Sequence, residues 1–82
     1  MKQVRELPQA FGKTVAALRV QRGLSQEQLA EAIDASNVYI CLLETGQRQP
    51  SLNATILIAE SLGVKPSELL RLVCEELQFS KT

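Results

Sequence analysis

Residues 25–51 read SQEQLAEAIDASNVYICLLETGQRQPS, and their punctuation decides the fold. Ser25 followed three positions later by Gln28 is a capping box: the serine oxygen takes a free backbone N–H while the glutamine side chain reaches back to the serine N–H. Leu29, Ala30 and Ile33 supply the apolar face behind that cap, so a short helix is predicted over Gln26 to Ile33. Asp34, Ala35 and Ser36 then form a turn, in which Asp34 tolerates a left-handed backbone and Ser36 caps the next helix. That helix runs from Asn37 to Glu44 and is closed by Gly46. Two short helices thus meet across a three-residue turn.

The flanking sequence extends this helical pattern in both directions. Met1 to Leu7 is polar, charged and without periodicity, which reads as a loose arm. Pro8 suits a first helical position, and Phe11, Val15 and Leu18 recur at helical spacing until Gly23. After the polar loop Gln47 to Pro50, Ser51 caps a fourth helix whose Leu52, Ile56, Ala59 and Leu62 are assigned to one apolar face ending at Gly63. Pro66 opens a fifth, with Lys65 a poor cap before it and Glu68 well placed for the helix dipole. The expectation is an all-α, compact five-helix domain over residues 8–79, with the two capped helices at about 26–44 and a tail at 80–82.

Composition agrees and excludes much else. Leucine (13) and alanine (8) supply 21 of 82 residues, against three aromatics, Phe11, Tyr39 and Phe79, a balance that favours helices over strands. The chain has no histidine, which removes the usual general base, the Ser-His and Cys-His nucleophiles and the common zinc enzyme sites. Glu75 and Glu76 are adjacent on a helix and diverge by about 100°, so they make no catalytic pair. No catalytic residue, metal, cofactor or small-molecule ligand is expected. Cys41 and Cys74 lack a CxxC partner and read as reduced thiols. There is no apolar run of the roughly 18 residues that spans a bilayer, and Glu6 and Pro8 interrupt the N-terminus where a signal peptide needs an apolar stretch. A cytoplasmic protein without membrane attachment is expected. Nine basic and nine acidic residues balance to zero, so any attraction to a polyanion must come from local placement.

Ser25 to Ala30, the turn ending at Ser36, Tyr39-Ile40, Glu44, Gly46, Arg48 and Pro50-Ser51 together resemble the lambda repressor/Cro-like (XRE) helix-turn-helix family, from about Phe11 to Leu70. The resemblance implies a transcriptional regulator that binds double-stranded DNA with its third helix in the major groove. It also implies that Ala30 is small because helices two and three cross closely there. Positions Arg19 and Glu44 resemble a buried ion pair tying helix one to helix three, and Gln26 carries over as an anchor for the DNA backbone. Asp34 stands where the family usually has glycine, and Cys41 where it usually has a small hydroxyl residue. No second domain for ligand sensing is expected, and in this the chain also resembles the stand-alone controller proteins of restriction-modification systems.

A helical wheel at about 100° per residue places Tyr39, Ile40 and Leu43 on one side of helix three and Asn37, Val38, Cys41 and Leu42 on the other. In a major groove those four lie nearest the base edges, and only Asn37 brings both a donor and an acceptor. Val38 and Leu42 would meet thymine methyl groups. Arg48, after the helix, has the reach and charge for a phosphate, with Thr45 and Gln47 as weaker hydrogen-bonding groups nearby. On helix five, Leu69, Leu70, Val73 and Leu77 form the predicted core stripe, which leaves Leu72 and Phe79 as an apolar flank for a homodimer. The competing reading is an antitoxin-like or adaptor module that grips a protein with the apolar outer face of helix three.

Overall fold

A computed structural model describes residues 1–81, with side chains through Gln78. Among them are five helices and no strand: α1 Leu7–Gln21, α2 Gln26–Ala32, α3 Asn37–Glu44, α4 Leu52–Ser61 and α5 Pro66–Lys81. Three of these begin on a serine whose hydroxyl accepts the free N–H three residues on: Ser25 from Gln28, Ser36 from Tyr39 and Ser51 from Ala54, each at 3.0 Å. The reciprocal half of the capping box is present too, with Ser25 N–H donating to Gln28 Oε1 at 2.8 Å. α1 begins one residue earlier than read from Pro8. Leu7 belongs to the helix and packs on the core, so the polar segment ends at Glu6. α5 continues through Lys81, where a tail from Ser80 was expected, since no glycine or proline follows Pro66 to stop it.

The four connections between helices share one device. At the ends of α1 to α4 a left-handed residue follows the cap, and the next two N–H groups turn back to close the last turn. After α3, Gly46 N–H donates to the Leu43 carbonyl (3.2 Å) and Gln47 N–H to the Leu42 carbonyl (2.9 Å). After α2 the left-handed position is Asp34, φ 56°, with Ala35 N–H bonded to the Ala30 carbonyl at 2.9 Å. This makes α2 Gln26–Ala32, with Ile33 as its cap rather than its last residue.

α1 lies at the centre, against α3 on one side and α5 on the other, while α2 rests on α3 and α4 on α5. Val15, Leu29, Ile40, Leu43, Ile58, Leu62, Leu69 and Val73 are fully buried. Among the described residues no buried side-chain N or O atom lacks a partner.

Two apolar faces differ from the wheel reading. On α4 the core side is Ala54, Thr55, Ile58, Ala59 and Leu62, whereas Leu52 is 74 % exposed and Ile56 is exposed as well. The period was right but the face is rotated, because Thr55 satisfies its hydroxyl on the Ser51 carbonyl (2.9 Å) and so packs inward like a valine. On α5, Leu70 is 47 % exposed and Leu72 is half-buried against the core. Leu72 packs on the core beside Thr14, Ala17 and Leu18 of α1, whereas Leu70 stands at an open groove between the start of α1 and α4. Phe79, the other residue expected on the flank, lies outside the described side chains.

Left-handed backbone is costly for a residue with a Cβ, and Asp34 carries that cost where the other three helix ends use glycine. Asp34→Gly is therefore expected to stabilise the domain by about 0.5–1 kcal/mol, net of the greater freedom of glycine in the unfolded chain. Thermal melts should show a rise of a few degrees, and a fall would mean that the Asp34 side chain holds the turn by more than its backbone costs.

Candidate nucleic-acid interface

α3 owes its position to contacts at its back and its C-terminal end. Its inner residues Ile40 and Leu43 are fully buried, and Ala30 on α2 is buried where that helix packs on its neighbours. Gly12 of α1 lies against the last carbonyls of α3. A Cβ at that position would fall 2.4 Å from the Leu43 carbonyl oxygen and 2.5 Å from that of Glu44, so only glycine permits this approach.

Two turns further along the same face of α1, Arg19 meets Glu44. Its Nε donates to Oε2 at 2.7 Å and its Nη2 to Oε1 at 3.1 Å, while Nη1 donates to the Leu24 carbonyl at 2.8 Å. The side chains are 15 % and 6 % exposed, so the planar fork binds the carboxylate largely out of water. The hydrogen bond to Glu44 holds the Arg19 pKa above its ordinary value, against the desolvation that burial imposes. Gln26, the first residue of α2, also converges here, its Nε2 donating to Glu44 Oε1 at 2.9 Å. The Arg19–Glu44 pairing is thus present as implied by resemblance, and Gln26 joins it.

The opposite side of α3 faces outward. Asn37 and Cys41 are exposed, Val38 is 67 % exposed, and Leu42 is half-buried, so it presents less of its side chain than the wheel suggested. Beyond the helix end, Thr45 Oγ1 donates to the Cys41 carbonyl at 2.9 Å and accepts from Gln47 Nε2 at 2.9 Å. The Thr45 hydroxyl hydrogen is therefore engaged within the chain, and Thr45 orients Gln47. The Arg48 guanidinium sits 5.5 Å from the centroid of the Tyr39 ring, a cation–π contact that steadies an otherwise exposed side chain. Gln26 flanks the α2 side of this surface and Arg48 its C-terminal side.

Three features of this arrangement were not read from the sequence. Gly12 carried a signal, a glycine inside a helical pattern, which marks close approach to another backbone. Tyr39 was placed on the inner side as an apolar residue, and its ring face is used by Arg48 on the outer margin. The third is the Gln26–Glu44 bond, which joins residues 18 positions apart and has no local signature.

Removing the Glu44 carboxylate leaves Arg19 buried without its counter-charge. Glu44→Ala is expected to destabilise the domain by roughly 3–5 kcal/mol. That corresponds to a drop in Tm of at least about 10 °C for a domain of this size. A melt within a degree or two of wild type would mean that the pairing contributes nothing.

A helix-turn-helix family model matches residues 15–69. The control protein C.BamHI of Bacillus amyloliquefaciens is 39 % identical over 61 residues, covering 73 % of this chain and 75 % of that protein. The HTH-type transcriptional regulator YqaF of Bacillus subtilis is 33 % identical over 62 residues, covering 76 % and 82 %. Among solved structures, the restriction-modification controller protein C.AhdI from Aeromonas hydrophila superimposes with a TM-score of 0.73 at 37 % identity, over 76 % of this chain and 94 % of that one. The controller protein C.Esp1396I, solved as a tetramer with its natural 35 base-pair operator, shares the fold with a TM-score of 0.79 at 22 % identity, over 88 % and 95 %. No described helix is long and apolar enough to cross a membrane. The chain belongs to the XRE-type helix-turn-helix family of transcriptional regulators, which are DNA-binding proteins and not enzymes.

Proposed function

We propose that this regulator reads a specific DNA operator as a dimer, with α3 in the major groove of each half-site. The observation that carries this reading is the outer face of α3: Asn37, Val38 and Cys41 are exposed on a helix held rigidly from behind and flanked by Gln26 and Arg48. Asn37 is the reading residue, most often through adenine N6 and N7, with Val38 and the exposed part of Leu42 against thymine methyl groups. Gln26, Gln47 and Arg48 anchor the backbone, Thr45 acting through Gln47. Likeness to C.BamHI and C.AhdI supports the narrower role of a controller of restriction-modification genes. A binding site upstream of its own gene would bear that out, and its absence there would remove it.

The dimer face follows from the exposed apolar residues of α4 and α5. Leu52 and Leu70 line one groove of about 220 Å³ together with Leu7, Phe11 and Pro50, and Ile56 lies one turn beyond Leu52. A second copy related by a twofold axis would cover this patch and set two α3 helices on half-sites about one helical turn, roughly 34 Å, apart. Leu72, half-buried beside α1, packs on the core and is left out of this proposed contact.

Leu70→Glu is accordingly expected to yield folded monomers by sedimentation, while Leu72→Glu lowers Tm instead. A wild-type monomer at tens of micromolar would overturn the dimer in the absence of DNA.

For readout, Asn37→Ala should cost about 1–3 kcal/mol per half-site and relax preference at one base position. Arg48→Ala should weaken all sequences alike and flatten the log–log salt dependence by about 0.9 per half-site. Selection of bound sites from random DNA with each variant checks both. A consensus unchanged by Asn37→Ala and altered by Arg48→Ala would reverse the two roles. No enriched site at all, with affinity indifferent to salt, would assign the apolar outer face of α3 to a protein partner.

A further inference from the structure

We propose that Glu44 is a positioning residue for backbone anchoring: its carboxylate fixes the side-chain amide of Gln26 in the orientation that meets a DNA phosphate, and Arg19 holds that carboxylate in place. The proposal rests on the reading of Gln26 as a backbone anchor.

The chemistry of the three groups determines the orientation. An ionised carboxylate only accepts hydrogen bonds, so the atom of Gln26 that faces Glu44 is its nitrogen, as the 2.9 Å contact has it. One N–H of that amide is then occupied, and the second N–H is left for a further acceptor. Arg19 needs only two donors to pair with Glu44, through Oε2 and Oε1. The Gln26 bond is surplus to that pairing, and Oε1 accepts from both Arg19 and Gln26. Arg19 is itself tied to the Leu24 carbonyl at the α1–α2 joint. One carboxylate therefore locks the last residue of α3 to the first residue of α2. The charge of Glu44 is matched by Arg19, so it does not repel a phosphate as a bare carboxylate would. A glutamine held in advance loses less rotamer freedom on binding than a solvated one. Gln26 is only half-exposed, unlike Gln47 and Gln49.

A double-mutant cycle in the full chain tests this, with a duplex carrying a selected site as the probe. Glu44→Gln keeps the volume of the side chain but leaves one acceptor oxygen for three donors, of which Arg19 takes it. Gln26→Ala is expected to weaken binding about tenfold per half-site in the wild-type background, and by less than about twofold in Glu44→Gln, both measured well below the melting range of each variant. An equal loss in both backgrounds overturns the proposal and leaves Gln26 as an anchor that needs no help. No loss in either background overturns both. A second measurement needs no folded Glu44 variant. In the free wild-type protein, the Gln26 amide protons, identified by their disappearance in Gln26→Ala, are expected to exchange with solvent several-fold more slowly than those of Gln49. Exchange as fast as Gln49 overturns the proposal.

Discussion

α1 can touch the end of α3 only because residue 12 has no side chain. With any Cβ there, the Leu43 and Glu44 carbonyls would have to retreat. The geometry then propagates along α1: seven residues on, two helical turns and on the same face, Arg19 arrives where the Glu44 carboxylate lies. Gly46, just past α3, repeats the constraint on a smaller scale, since a Cβ there would come within 3.0 Å of the Gln9 side chain. Three points of α1 thus hold one end of α3. The other end is set by the Ser36 cap and by the left-handed Asp34. A helix of eight residues has little stability of its own. Its outer face is free for binding because its inner face, both ends and terminal carboxylate are already engaged.

The Arg19–Glu44 pair is therefore better understood as a device for orientation than as a source of stability. Replacing such a pair with apolar residues of similar volume often leaves stability unchanged or raises it. An apolar pair, however, would not distinguish one rotation of α3 from another, nor would it hold the Gln26 amide. The fork of a guanidinium on a carboxylate fixes both distance and angle. A regulator with zero net charge has reason to favour angle over attraction, because long-range pull toward a polyanion is weak and placement must do the rest.

Local signals made most of the fold legible. Three serine caps, two helix-opening prolines and four left-handed turns mark the element ends, and each depends on residues within a few positions of one another. What the sequence did not reveal depends on third parties. The wheel for α5 separates Leu70 from Leu72 correctly, yet which of them is covered depends on how closely α1 and α4 pack against each margin. On α4, Thr55 was not among the residues assigned to the apolar face, although its hydroxyl is satisfied by its own helix and costs little to bury. The candidate site divides in the same way. Asn37 and Arg48 are legible from position and chemistry, whereas the engagement of Thr45 and the tie from Gln26 to Glu44 require side chains to be placed in space.

These placements bear on how much sequence the proposed reading helix distinguishes. The outer face of α3 carries one side chain that could both donate and accept on a base edge, Asn37, with Val38 largely and Leu42 partly exposed for the proposed methyl contacts. A methyl contact discriminates weakly, and a bidentate amide contact by about 1–3 kcal/mol. Two copies on a twofold axis double that discrimination without adding a residue to the code, and they also fix the spacing between half-sites, which no single helix can measure. Spacing is enforced only if both α3 helices are rigid with respect to the dimer face. That rigidity runs from α3 through Gly12 and Arg19 into α1, and from α1 through Leu72 into α5, which carries Leu70 on its far margin. The contact of Leu72 with the core is thus one link through which the proposed dimer face would be held in position relative to α3.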